Sequence, residues 1–128
     1  MSYTIDRVFK DVGFDEIDVR ARNALKNMGF GVLTQIDVKD TLKHKIGVDI
    51  APYRILGACN PNMAHQALEI EPRVGAMLPC NLIIREVGDS VEVSVIDPVA
   101  SMTAIDNDAL RSVAEQVRDM LAKVVATI

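Results

Sequence analysis

Two Cys-Asn pairs carry the residue types best suited to chemistry in this sequence. Cys59-Asn60 follows directly on the apolar run that starts at Tyr53, and Cys80-Asn81 directly precedes Leu82-Ile83-Ile84. They contain the only two cysteines of the chain, and His65, one of its two histidines, follows soon after the first pair. A thiolate is a nucleophile and a metal ligand, whereas a buried protonated thiol is a small hydrophobe. Cys59 precedes Asn60, a favoured helix N-cap, and Pro61, the residue best tolerated at a first helical position. Partial positive charge at that helix start favours the Cys59 thiolate, so Cys59 is expected to be the more acidic thiol. The opposing reading is that both cysteines only pack.

Around the pairs, Asn60, Asn81 and His65 are candidate ligand-binding or thiol-site residues together with Cys59 and Cys80. Arg54 joins them because a charge inside an apolar strand either points outward at an edge or pairs with a carboxylate. Asp37 joins them as a carboxylate at a strand end, with helix capping as the competing role. Cys59, Cys80 and His65 offer at most three metal ligands at spacings that match no zinc motif. No metal and no cofactor is expected, and catalytic residues stay unassigned.

These residues depend on the elements that carry them. Tyr3 to Phe9 alternates as a first strand, and a helix from an Asp15 cap to Met28 places Ile17, Ala21, Ala24, Leu25 and Met28 on one face. Gly29 ends that helix, and Phe30 to Val38 alternates as a second strand. Val38, Leu42 and Ile46 recur every four residues, so a short helix capped by Asp37 and stopped by Gly47 follows. Tyr53 to Ala58 reads as a buried third strand, and a helix opening at Asn60-Pro61 turns Ala64, Ala67 and Leu68 inward. Leu82 to Val87 and Val91 to Ile96 form a hairpin through Gly88-Asp89. The last helix, from about Asp108 to Val125, has Leu110, Val113, Ala114, Val117, Leu121, Val124 and Val125 on one face. This order predicts a two-layer α+β sandwich, a mainly antiparallel sheet of about five strands covered by helices. A doubly wound parallel sheet is the alternative, weakened by the lack of a glycine-rich phosphate loop.

At 128 residues and 49% hydrophobic content, the chain suits a single domain over residues 1–128 with one core. A net charge of −4 with scattered Lys and Arg argues against nucleic acid as a partner. No apolar stretch approaches the ~20 residues that span a bilayer, and residues 1–7 lack the features of a signal peptide. No membrane association is expected, and a cytoplasmic location, where thiols stay reduced, is.

The segments Gly31-Val32-Leu33-Thr34-Gln35-Ile36-Asp37, Tyr53-Arg54-Ile55-Leu56-Gly57-Ala58-Cys59-Asn60-Pro61, Ala64-His65, Leu78-Pro79-Cys80-Asn81 and Ile96-Asp97-Pro98 resemble the bacterial and archaeal "domain of unknown function 302" family. The resemblance spans nearly the whole chain. It implies a small α+β domain resembling the TATA-box-binding-protein fold class, often a homodimer, and it brings no assigned activity. Three functions follow from the residues: a small ligand-binding or regulatory module with its site near the two Cys-Asn pairs, a thiol-dependent redox or sulfur-handling protein using Cys59, or a structural dimer with packing cysteines. Whether the protein is an enzyme stays open.

Overall fold

The computed structural model describes residues 2–128. The chain runs β1 (Thr4–Lys10), α1 (Phe14–Asn27), β2 (Gly31–Asp37), α2 (Val38–Ile46), β3 (Tyr53–Cys59), α3 (Pro61–Ile70), a 3-10 turn (Pro72–Met77), β4 (Cys80–Val87), β5 (Ser90–Ile96), α4 (Pro98–Ser101) and α5 (Asp108–Thr127). The five strands form one sheet in the order β1-β5-β4-β3-β2, and every neighbouring pair is antiparallel. This is the α+β sandwich, and the pairing excludes the parallel alternative.

Local chemistry explains most of the boundaries. Side-chain oxygens of Asp37, Asn60, Asp97 and Asn107 accept backbone N–H groups at the starts of α2, α3, α4 and α5, satisfying donors that have no partner inside the helix. α1 departs from expectation. It starts at Phe14 after Gly13 without a side-chain cap, and Asp15 lies in its first turn. A carboxylate there still favours the helix through the dipole, without the hydrogen bond. Gly29 and Gly47 adopt φ of +81° and +71° just beyond α1 and α2, the left-handed conformation that closes a helix most cheaply on glycine. Val87 pairs with Ser90, so Gly88-Asp89 is the two-residue hairpin loop.

The core lies between one sheet face and the helices. Leu56, Ala58, Leu82, Ile84, Val91, Val93 and Val95 point inward from the strands. α1 meets them with Ile17, Ala21, Ala24 and Leu25. All seven apolar positions expected on the α5 face are buried. Two expected inner faces are corrected. Leu68 of α3 is 40% exposed, while Met63 packs against the core beside Ala67. α2 buries no residue fully, and Ile46 is 66% exposed, because α2 packs mainly on β3 and β2, the two strands at one edge of the sheet. The opposite sheet face carries no helix. Across it, register aligns Ile36, Ile55, Ile83, Ser94 and Asp6 in one row.

Candidate functional site

β3 and β4 are antiparallel neighbours, with Ala58 opposite Cys80 and Gly57 opposite Asn81. The chain therefore leaves the sheet after Cys59 and returns to it at Cys80 at the same end. Both cysteines are unpaired; Cys80 is buried and Cys59 half-buried. Both residues border one partly open cavity of about 40 Å³, which Met63 and Ala67 of α3 and Leu110 and Val117 of α5 also line. Burial, reinforced by the nearby Cys59, pushes the Cys80 thiol up to about 11. Cys80 is thus protonated at neutral pH and unsuited to act as a nucleophile.

The remaining lining is almost entirely hydrocarbon, with the Asn60 side chain as its polar exception. Asn60 Oδ1 is committed to the Met63 N–H at 3.2 Å. A second hollow of about 200 Å³ adjoins the cavity, and Met102, Leu110 and Ala114 line both. Met102 follows α4 directly. Its unbranched thioether is the easiest of the shared residues to rearrange.

One glycine fixes the geometry at this end of the sheet. A Cβ on Gly57 would collide with the Thr34 hydroxyl and lie 2.8 Å from the Pro79 ring. Only glycine lets β2 and the Leu78-Pro79 segment, whose peptide bond is cis, close over β3 here.

Not every candidate residue reaches the cavity. Asn81 follows Cys80 along β4, and successive strand residues face opposite ways. Cys80 therefore points into the core, while Asn81 is exposed and lines a trough of about 550 Å³ on the helix-free face. His65 lies on the outer side of α3, its side chain 75% exposed and paired with Glu69 at 3.0 Å.

Arg54 and Asp37 form a different site. Arg54 is the second residue of β3 and Cys59 the last, which separates them by roughly 16 Å at the usual strand rise. Arg54 faces the helices, 17% exposed, and its guanidinium contacts Asp18 at 2.9 Å and Asp37 at 3.4 Å. The Phe14 ring stacks 4.9 Å from it. Asp37 has two roles, since its other oxygen caps α2 through the Asp40 N–H. Burial pushes the Asp18 carboxyl up, but hydrogen bonds from Arg22 and Arg54 outweigh it and hold the pKa below the usual carboxylate value. Asp18 was missed in the sequence although a signal was present, because it adjoins Ile17 on the same helical face as Ala21 and Leu25.

Among the described residues, no group of three or more His, Cys, Asp or Glu side chains is placed to hold a metal ion, and no helix is long and apolar enough to cross a membrane. A family model described as "Domain of unknown function DUF302" matches residues 6–128. The chain is also similar to the crystal structure of an uncharacterised conserved protein DUF302 from Bacillus stearothermophilus. That match has a TM-score of 0.92 and 28% sequence identity, covering 99% of this chain and 98% of that one. No curated protein matches the chain.

Proposed function

The chain belongs to the DUF302 family, a domain family of unknown function, and from that premise we propose that it is a small-ligand-binding module whose site is the cavity beside Cys59 and Cys80. The observation that carries this reading is the lining: apolar groups drawn from β3, α3 and α5, with Cys80 of β4, around one partly open space. Such a lining suits a ligand that is apolar or soft and disfavours a charged polar one, which would lose its hydration without gaining partners.

A space of about 40 Å³ has room for little more than a water molecule or an ion. A molecule the size of toluene needs Met102 to move and join the cavity to the adjoining hollow. The chain contains no Trp, so Thr103→Trp, at the exposed rim of the adjoining hollow, installs a single tryptophan reporter and leaves Met102 free to move. Saturable changes in its emission with toluene, weakened by the cavity-filling Ala114→Leu, are the expected result. A response that never saturates, or is equal in Ala114→Leu, removes the cavity as a site for organic molecules.

The module acts as a homodimer in this reading. Support comes from apolar side chains left exposed at one side of the fold, Leu33 and Ile36 on edge strand β2 and Ile46 at the end of α2, since exposed apolar edges invite pairing. A cytoplasmic location fits its two unpaired thiols.

A further inference from the structure

Asp18 and Ser94 are the buried polar residues among those described. Arg22 and Arg54 account for Asp18. Ser94 is only 6% exposed, yet its hydroxyl has no hydrogen-bond partner among the described residues, although buried polar groups nearly always have one. It alternates along β5 with the inward-facing Val93 and Val95, so it points the other way, into the trough of about 550 Å³ on the helix-free face. Register sets it between Ile83 of β4 and Asp6 of β1. Residues directly opposed on one sheet face hold their Cβ atoms about 4.5–5.5 Å apart. One ligand group can therefore reach the Ser94 hydroxyl and the Asp6 carboxylate together.

Three charged side chains line the trough, Asp6, Arg85 and Glu92. Arg85 and Glu92 pair with each other at 2.7 Å. Asp6 has no ion-pair partner among the described residues, which leaves one negative charge uncompensated. Ile83 and Ile96 supply hydrocarbon beside it. We propose that the trough binds an arylalkylamine, a monocation whose ammonium group donates to the Asp6 carboxylate and the Ser94 hydroxyl oxygen while its ring lies over Ile83. Ile83 is one strand beyond Ser94, about 5 Å away, a gap that a two-carbon linker between ammonium and ring spans. The volume falls within the roughly 300–1,000 Å³ of small-molecule sites. This site goes beyond the reading of the cavity, which lies on the helix-covered side of the sheet.

The test is an amide NMR titration of the isotope-labelled full chain with tyramine. Hydroxyphenylpropionate serves as a probe of similar body and opposite charge. Saturable shifts with tyramine are expected around Asp6, Ile83 and Ser94, and binding of the propionate at least tenfold weaker. Asp6→Asn and Ser94→Ala should each weaken tyramine by roughly tenfold, as loss of a hydrogen bond to a charged group does. Asp6 is exposed and Ser94→Ala removes a single oxygen, so both variants should fold, which circular dichroism checks. Equal binding of the propionate, equal binding of tyramine by Asp6→Asn, or shifts that never saturate overturn the proposal. So does a parent dimer that ignores tyramine and that Ile83→Lys converts to monomer, because a second copy of the chain then covers this face.

Discussion

Arg54 on β3 holds Asp18 on α1 at 2.9 Å, with 17% and 10% of the two side chains exposed. The contact ties the first helix to the middle of the sheet, and Arg22 braces it from the next turn of α1 at 2.7 Å. Each member keeps a second partner when the other is removed, Arg54 holding Asp37 at 3.4 Å and Asp18 holding Arg22 at 2.7 Å. Asp18→Ala and Arg54→Met are therefore each expected to cost about 1–3 kcal/mol in denaturant unfolding, the range for a lost hydrogen bond to a charged group.

The same pair sets an acid limit. The folded pKa of Asp18 is held below its ordinary value, so its stabilisation is fully present above the unfolded pKa of about 4. It is lost as pH falls through the lower folded value. Stability measured from pH 6 downward should fall more steeply in the parent than in Asp18→Asn. Parallel curves would show that Asp18 is not the responsible group.

Gly57→Ala puts a methyl group against Thr34 and Pro79 and is expected to cost about 1–3 kcal/mol. Adding Thr34→Ala removes the first collision and should recover part of the loss. Additive losses in the double variant would mean the two positions do not press on each other.

With its thiol pushed up to about 11, Cys80 is expected to alkylate slowly. Only roughly 0.1% of it is thiolate at pH 8. In Cys59→Ser, the labelling rate should rise about tenfold per pH unit from pH 7 to 10. A plateau near pH 8.5 would show an ordinary exposed thiol instead.

Light scattering coupled to sizing chromatography is expected to find a dimer, and Ile36→Lys or Ile46→Asp to shift it toward monomer. A monomeric parent at high micromolar concentration removes that assembly.

The elements were legible where the signal was local. The α5 stripe, the Asn60-Pro61 helix start and the Gly88-Asp89 hairpin each need only neighbouring residues to be read. What escaped depends on partners distant in sequence. Nothing near Arg54 names Asp18 as its partner. The spacing of Leu42 and Ile46 reveals a helix but not that it sits at an edge. The splitting of Cys80 from Asn81 follows from strand alternation alone, and it was hidden because β4 begins at Cys80 and not at Leu82. Asn60 and the two cysteines lie together because β3 and β4 are neighbours, and strand order is not written in the spacing.

The strand order also has a consequence in time. β1 is an edge strand whose one sheet neighbour is β5, with Thr4 opposite Ile96 and Lys10 opposite Ser90. Apart from that pairing, β2 to β5 are joined in sequence order, each to the next. Joining the first strand to the last closes a loop that runs from Lys10 to Ser90, more than half of the chain, and this entropy is spent before the pairing returns anything. The meander from β2 to β5 can assemble around its two-residue hairpin first, with β1 docking late. Destabilising changes in β1 would then speed unfolding and leave the folding rate nearly untouched.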